Sequence, residues 1–378
     1  MKILYILNVA DKVNNFSEAS MRAALELGFE FQIAGNWGYE SNDDRKADEE
    51  KYGIRIHQVD FIRLPMDLRN IKAYNQIVKI LKEESIDVIH CNTPIGGIVG
   101  RIAGKYCDIQ TVIYQAHGFH FYKGASVIKY MIYKFVEKVL AHWTDILITI
   151  NKEDYQVAQN FKLGKNGKVY YVPGVGINTE QYSLSVEKKS KIRKQKRLEI
   201  NVPLDCFLVI SVGELNHNKN NELILKAICN IGKSSIHYIL CGKGKEEQKL
   251  IKLAKSLGIE KQIHFLGYRK DIKELYQASD LFVLPSYREG LSRSLMEAMA
   301  SGLPCIVSAI RGNVDLIDNK VGGYLCSPFE IDQFSEAISG IEQFRDVNVK
   351  MGDYNRKKVK IYDLENVKSI LKEIYSLI

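Results

Sequence analysis

Short apolar runs alternate along the chain with longer stretches in which apolar residues recur at helical spacing. A short apolar run bounded by turn formers is typical of a buried strand, whereas the amphipathic stretches are typical of helices that cover a sheet. Strands that alternate with helices form parallel sheets, because a parallel strand needs a crossover before the next one. The pattern therefore predicts an α/β fold.

The predicted strands form two groups. In the first half they are Lys2–Leu7, Glu30–Ala34, Ile54–Val59, Asp87–His90, Thr111–Gln115, Asp145–Thr149 and Lys168–Val172. In the second half they are Phe207–Val212, His237–Leu240, Gln262–Phe265, Leu281–Leu284 and Pro304–Ser308. Between the groups lies Pro173–Asn178, a segment of turn formers, which marks the predicted domain boundary.

The length of the chain supports this division. Its 378 residues exceed the roughly 250–300 at which one hydrophobic core stops growing. We expect an N-terminal Rossmann-like domain (1–172) that binds an acceptor, a basic linker (173–200), a C-terminal Rossmann-like domain (201–360) and a C-terminal helix (361–378). That helix is a candidate to pack back on the N-terminal domain.

Composition excludes several classes of protein. With 46% hydrophobic and 26% charged residues, the chain is neither disordered nor fibrous. No apolar run approaches the roughly 18 residues of a membrane span. The seven cysteines are far apart and form no Cys-x-x-Cys pair, which predicts reduced thiols, no zinc site and a cytoplasmic location.

The net charge of +8 is concentrated in one segment. Residues 173–200 carry seven basic residues and three acidic ones, which accounts for half of the net charge. A protein that binds nucleic acid spreads basic residues over a face, interleaved with aromatic ones. We therefore expect no nucleic-acid partner.

The densest chemical signal follows the predicted strand Leu281–Leu284. Glu289 lies in the next loop and Glu297 lies eight residues later, about two turns into a predicted helix. The backbone amides of Gly290, Leu291 and Ser292 would point to the start of that helix, which suits a diphosphate. The alternative is structural, because Ser286-x-x-Glu289 and Ser294-x-x-Glu297 both have capping-box spacing.

These motifs resemble those of the retaining family 4 glycosyltransferases. The Glu289-x7-Glu297 pair stands between Pro-Ser and Glu-Ala-Met-Ala-Ser-Gly-x-Pro. Further matching segments are His117–Gly124, Ile148–Asp154, Val172–Ile177, Ser211–Leu215 with Lys219, Cys241–Gly244 and Phe265–Asp271. The resemblance covers most of the chain and implies the GT-B fold, in which two Rossmann-like domains face each other across a cleft.

The resemblance also implies roles for individual residues. Glu289 would contact the donor sugar, Glu297 the nucleotide ribose and Lys219 the diphosphate. His117 corresponds to a histidine that contacts the donor sugar, and His120 is a weaker candidate for the acceptor. The remaining candidates for substrate binding are Gly213 in the loop before Lys219, Gly290, Leu291 and Ser292 at the helix start, and Tyr268 and Arg269 in the base-binding loop.

The chain departs from the family pattern at two loops. Glu214 stands where relatives have an arginine, and Arg293 and Arg311 are candidates to replace that arginine. The loop after the first strand lacks the usual glycine pair, so Asp11 or Lys12 is expected to serve the acceptor. There is no Asp-x-Asp and no metal-ligand spacing, which predicts transfer without a metal or other cofactor.

The resemblance predicts transfer of a hexosyl or N-acetylhexosaminyl group from a nucleotide sugar, expected to be UDP-linked, to a lipid-diphosphate-linked glycan. A UDP-sugar 2-epimerase and a non-catalytic nucleotide-sugar-binding subunit are the alternatives. An NAD-dependent oxidoreductase is disfavoured, because no Gly-x-Gly-x-x-Gly follows the first strand. Basic and aromatic residues alternate in Tyr122-Lys123 and Lys129–Trp143, which makes the inner membrane surface a candidate partner, with an ordinary core helix as the alternative.

Overall fold

The computed structural model describes the chain except for residues 11, 12, 14, 15, 39, 40, 65, 66, 123 and 125 and the side chains of residues 42, 186 and 345–347. The chain divides into two compact units. The first comprises Met1–Gly176 with Leu364–Ile378, and the second comprises Ile177–Asp363.

The first unit is built on a parallel sheet, with seven strands in its described part. They are β1 (Lys2–Val9), β2 (Glu30–Asn36), β3 (Arg55–Gln58), β4 (Val88–Asn92), β5 (Thr111–Ala116), β6 (Ile146–Thr149) and β7 (Lys168–Tyr171). Their order is β3-β2-β1-β4-β5-β6-β7. Central β1 pairs with β2 in the register Lys2 to Glu30 and with β4 in the register Ile3 to Val88.

Helices cover both faces of this sheet. They are α1 (Glu18–Glu26), α2 (Asn42–Tyr52), α3 (Asn70–Glu83), α4 (Pro94–Tyr106), α5 (Val127–Ala141) and α6 (Lys152–Ala158). One core packs α1 against the sheet, and the other packs α3 and α4 against the opposite face. Because both faces are covered, the inner strands are apolar throughout rather than alternating.

The second unit repeats this plan. In the residues that the structure describes, its six parallel strands are β8 (Phe207–Val212), β9 (Ile236–Cys241), β10 (Ile263–Gly267), β11 (Leu281–Leu284), β12 (Cys305–Ser308) and β13 (Gly323–Cys326). Its helices are α7 (Val186–Glu199), α8 (Asn221–Ile231), α9 (Glu247–Ser256), α10 (Ile272–Ala278), α11 (Arg293–Ala300), α12 (Asn313–Leu316), α13 (Ile331–Gln343) and α14 (Arg345–Lys358). The strand order is β10-β9-β8-β11-β12-β13.

This order creates a switch point in the sheet. The chain runs outward from β8 to β9 and β10, and then returns to the other side of β8 with β11. The loops that follow β8 and β11 therefore leave the sheet in opposite directions, and such a switch point is the usual binding crevice of a doubly wound sheet. The predicted strands are all present, which confirms the α/β class. Strand β13 was not predicted, because it is a four-residue edge strand that begins with Gly323.

The basic segment differs from the expected linker. Residues from Ile177 onward belong to the second unit, and α7 packs on α10. Arg197 is completely buried, and its guanidinium donates to Asp280 Oδ2 at 2.7 Å and to three backbone carbonyls at 3.0 Å or less. The physical reason for the difference is that several of these basic residues are ion-pair partners inside the unit rather than solvated charges.

The C-terminal helix returns to the first unit. This helix, α15 (Leu364–Tyr375), packs against α1 and buries Val367, Leu371 and Tyr375 in the core shared with β1. The Tyr375 hydroxyl also lies 2.6 Å from His90 Nδ1. The first unit is therefore assembled from both ends of the chain.

Candidate active site at the start of helix α11

Two loops meet at the carboxyl ends of β8 and β11. The Tyr287 N–H donates to Asn218 O at 2.9 Å, and Asn218 Nδ2 donates to Arg288 O at 2.9 Å. The side chain of Asn216 accepts from the Lys219 N–H at 3.1 Å and fixes the turn that carries this lysine. The two loops are thus held together by their own backbone and amide groups.

Lys219 and Glu289 face each other across these loops. Lys219 Nζ lies 2.7 Å from Glu289 Oε1, and the two side chains are 20% and 13% exposed. A hydrogen bond between charged partners is roughly twice as strong as a neutral one. Gly213, at φ +152°, leaves room for the lysine, because a Cβ there would lie 3.2 Å from Lys219 Cε. Three of the residues singled out from the sequence are therefore brought together.

Helix α11 begins beside this ion pair. Its N-cap is Ser292, whose side chain accepts from the Leu295 N–H at 3.4 Å. Neither Glu289 nor Glu297 forms the capping box that was the structural alternative. The backbone amides of Gly290, Leu291 and Ser292 donate no hydrogen bond within the part of the chain that is described. They are free to bind an anion at a helix start, where the helix dipole also favours negative charge.

Glu297 lies in α11, five residues after the N-cap Ser292. Its Oε1 accepts from Arg293 Nε at 3.0 Å, and its Oε2 lies 3.5 Å from the Tyr276 hydroxyl. The Tyr182 hydroxyl also interacts with this carboxylate; burial, with the negative charge of Glu297, raises the pKa of Tyr182. Glu297 is therefore a nearly buried acceptor, 13% exposed, with Arg293 beside it.

The candidates to replace the usual arginine have different positions. Arg293 pairs with Glu297, whereas Arg311 is nearly buried and places its Nε 3.5 Å from Glu289 O. Glu214 is exposed, and its Oε2 accepts from Asn216 Nδ2 at 3.1 Å. Arg293 is the first residue of α11, Arg311 lies beside the loop that precedes this helix, and the carboxylate of Glu214 is bound by an amide.

Tyr268 and Arg269 directly follow β10, so they lie at the carboxyl ends of the strands, as the loops after β8 and β11 do. Tyr268 is 72% exposed and is available to a ligand. Arg269 instead forms ion pairs with Asp271 at 2.6 Å and Glu199 at 2.5 Å, and these hydrogen bonds raise its pKa. Its guanidinium is therefore engaged within the protein.

The remaining predicted residues belong to the first unit. His117 directly follows β5, and its Nε2 lies 2.9 Å from Asn92 Oδ1 at the end of β4. Burial lowers the pKa of His117 to about 4, so the imidazole is neutral at pH 7. His120 packs edge-on against Tyr133, with 5.4 Å between ring centroids. Asp11, Lys12 and Lys123 lie outside the described residues.

Sequence reasoning missed two polar residues that shape these sites. Asn92 bonds both His117 and the Tyr5 hydroxyl, the latter at 3.2 Å, and Asn218 joins the loops after β8 and β11. Asn92 could have been found from the sequence, because it is a polar residue at the carboxyl end of a buried strand. Asn218 stands in a run of asparagines, where no pattern distinguishes it.

The sequence is similar to those of known glycosyltransferases. The family described as glycosyl transferases group 1 matches residues 192–358, and the family described as glycosyl transferase 4-like matches residues 39–151. EpsD of Bacillus subtilis, which is named as a glycosyltransferase, is 30% identical over 99% of this chain and 96% of its own length. An Escherichia coli protein named UDP-Gal:alpha-D-GlcNAc-diphosphoundecaprenol alpha-1,3-galactosyltransferase is 28% identical over 82% of this chain and 80% of its own.

Solved structures share the fold. The crystal structure of Anabaena HepE in complex with UDP matches over the full length of both chains with a TM-score of 0.79 and 20% identity. The two Rossmann-like units thus have the GT-B fold. The chain belongs to the group 1, family 4-like glycosyltransferases and is an enzyme of that class.

Proposed function

We propose that the enzyme transfers a hexosyl or N-acetylhexosaminyl group from a UDP-sugar to a hydroxyl of a lipid-diphosphate-linked glycan, with retention of configuration at the anomeric carbon. One observation carries the proposal. Lys219 and Glu289 form a 2.7 Å ion pair at the start of α11, beside amides suited to a diphosphate. The glycosyltransferase relatives support the reaction class.

Each residue has one task in this proposal. Lys219 and the amides of residues 290–292 bind the diphosphate, Glu289 accepts hydrogen bonds from the donor sugar, and Glu297 binds the ribose hydroxyls. Two hydroxyls on adjacent ribose carbons match the two oxygens of a fixed carboxylate. The diphosphate carries more negative charge than the Glu289 carboxylate, so it competes for Lys219 and frees Glu289 to bind the sugar.

In the proposed reaction, negative charge develops on the leaving nucleotide. The bond between the anomeric carbon and the diphosphate oxygen breaks, and a bond from the acceptor oxygen forms on the same face of the sugar. The departing phosphate oxygen takes the acceptor proton, so no general base is required. The protein contributes positioning and the stabilisation of charge on the leaving nucleotide by Lys219.

The acceptor proposal rests on the relatives. The E. coli protein is named for a sugar linked to diphosphoundecaprenol, which is embedded in a membrane by its lipid. An enzyme that uses such an acceptor must approach the bilayer surface. None of the described helices combines the length and the apolarity that crossing a bilayer would need.

Helix α5 provides a surface for that approach. Five of its apolar residues are more than half exposed, namely Val127, Ile128, Met131, Ile132 and Phe135. Lys129 and Lys138 on the same helix are also exposed. An apolar face with basic neighbours suits an anionic bilayer, where each basic residue contributes ~1 kcal/mol of attraction. We therefore propose the anionic inner membrane surface as its partner, rather than the core-helix alternative.

Vesicle sedimentation tests this surface. Phosphatidylglycerol vesicles should retain the wild-type enzyme and release the variant Met131→Ser/Phe135→Ser. The matched control is Phe329→Ser, which removes a side chain that is 75% exposed in the second unit. Equal retention of all three proteins would exclude α5 as the docking surface.

A radiolabelled transfer assay tests the reaction itself. The purified enzyme is incubated with UDP-hexoses and UDP-N-acetylhexosamines and a polyprenyl diphosphate-linked sugar. We expect Glu289→Gln to lower turnover by about 100-fold or more. The control Glu342→Gln, which breaks an ion pair of the same 2.7 Å length with Lys233, should leave turnover unchanged. Conversion of a UDP-sugar without acceptor would instead indicate the epimerase.

A further inference from the structure

A second cluster of positive charge lies at the amino ends of the strands of the second unit's sheet, opposite to the carboxyl ends that form the candidate active site. It surrounds a cavity of about 240 Å³ lined by Phe207, the segment Ser279–Asp280 and the segment Gly302–Pro304, all at the amino ends of strands. Lys189, Arg193 and Arg356 also line it. The cavity is therefore separate from the loops after β8 and β11.

Helix α7 supplies two of these cations. Lys189, Arg193 and Arg197 are spaced by four residues, so they lie on one face of the helix. Arg193 and Arg197 each bind one oxygen of Asp280 at 2.7 Å, and Asp280 Oδ2 also accepts from the Leu208 N–H at 2.8 Å. Asp280 is thus fully engaged by groups other than Lys189.

Lys189 has no ion-pair partner among the described side chains. Its pKa is lowered by burial and by the positive charges of Arg356 and Arg193. Bringing like charges together in a recess costs free energy that an anion in the recess would offset.

Arg356 is brought to the cavity by a glycine. The guanidinium of Arg356 lies against Gly302, which has φ +74°, in the space that a Cβ on this residue would occupy. Arg356 also forms an ion pair with Asp353 through Nη2. Arg356 lines the cavity together with Lys189 and Arg193, and a guanidinium beside an ammonium group is a common arrangement for phosphate oxygens.

We propose that this cavity binds a phosphate group, held by Lys189, Arg193 and Arg356. Its volume equals that of about eight liquid waters, which accommodates a tetrahedral oxyanion with part of its ester. The phosphate group belongs either to a soluble ion or ester or to the headgroup of an anionic lipid. The proposal does not depend on the transferase reaction, because no residue of the Lys219 site lines this cavity.

Titration calorimetry with inorganic phosphate, in chloride buffer, tests the site. Wild-type protein should bind with a Kd in the millimolar range or below, and Lys189→Gln should raise this Kd at least tenfold. The matched control is Lys188→Gln, which removes the exposed lysine that directly precedes Lys189 in α7. This variant should change the Kd less than twofold. Equal binding by all three proteins, or no binding by wild type at 20 times the expected ~1 mM Kd, overturns the proposal.

Thermal unfolding without phosphate separates binding from folding. Lys189→Gln removes a partly buried charge that lies beside two other cations, so its Tm should equal or exceed that of wild type. A lower Tm would show that Lys189 stabilises the fold, which contradicts the proposal.

Sedimentation with phosphatidic acid vesicles distinguishes a lipid headgroup from a soluble phosphate as the source of the phosphate group. Weaker binding by Lys189→Gln than by Lys188→Gln assigns the lipid headgroup, and equal binding with a loss of inorganic phosphate binding assigns a soluble phosphate.

Discussion

Gly312→Ala perturbs the start of α11 without touching a charged residue. Gly312 has φ +80°, in the left-handed region, and packs directly against the loop that follows β11. A Cβ on this residue would lie 2.1 Å from Gly290 O and 3.3 Å from Leu291 Cα. The substitution therefore pushes on the backbone whose amides are proposed to bind the diphosphate.

The structure sets the size of the effect. Alanine in the left-handed region costs roughly 1–2 kcal/mol, before any overlap is counted. Restoring ordinary contact with Gly290 O requires a movement of about 1 Å, and a displacement of that size lowers the rate by about 100-fold at a site that positions reactants. We expect the free energy of unfolding to fall by about 2 kcal/mol or more and UDP affinity to fall with it.

Urea unfolding followed by circular dichroism, together with UDP titration calorimetry, measures both effects. The control is Gly340→Ala in α13, where a Cβ would meet nothing within 4 Å. Alanine is a better helix former than glycine, so this control should gain about 0.5–1 kcal/mol and bind UDP normally. If Gly312→Ala unfolded at the wild-type urea concentration and bound UDP as tightly, the close packing described here would be refuted.

Three further outcomes are expected. Asp280→Asn leaves completely buried Arg197 without its carboxylate and should lower the free energy of unfolding by about 3–5 kcal/mol in urea, whereas Glu342→Gln at an exposed pair should cost less than about 1 kcal/mol. The pKa of His117 is about 4 in the folded chain, below its usual 6.5, so the unfolded chain binds the proton first; the free energy of unfolding should fall from pH 6.5 to 4, and His117→Asn should flatten that slope. Tyr268→Ala should weaken UDP binding in calorimetry but leave the Tm unchanged, because its side chain is 72% exposed; equal UDP affinity would remove Tyr268 from the site.

The fold was largely readable from the sequence because its signals are local. Each inner strand is a continuous apolar run, since helices cover both faces of each sheet. The basic segment, residues 173–200, differs from the predicted linker because its ion-pair partner lies far along the sequence. Its arginines are neutralised by Asp280, more than 80 positions later, and only the folded chain brings them together.

In the candidate site, too, features that depend on neighbouring elements could be predicted from the sequence, whereas contacts between distant residues could not. The pairing of Glu289 with Lys219 follows from two adjacent strand ends, so the sequence could indicate it. The cap of α11 could not be chosen from the sequence, because Ser286, Ser292 and Ser294 are all candidates, and the structure shows that Ser292 is the N-cap. One of the two ion pairs of Arg269 is with Glu199, which α7 supplies from a distant part of the sequence.

A crystal structure of the enzyme with a bound UDP-sugar tests the central claim most directly. We predict that diphosphate oxygens lie within about 3 Å of Lys219 Nζ and of the amides of residues 290–292, with the ribose hydroxyls on Glu297 and the sugar beside Glu289. A nucleotide bound elsewhere, with Lys219 still paired to Glu289 and those amides facing water, would contradict the account.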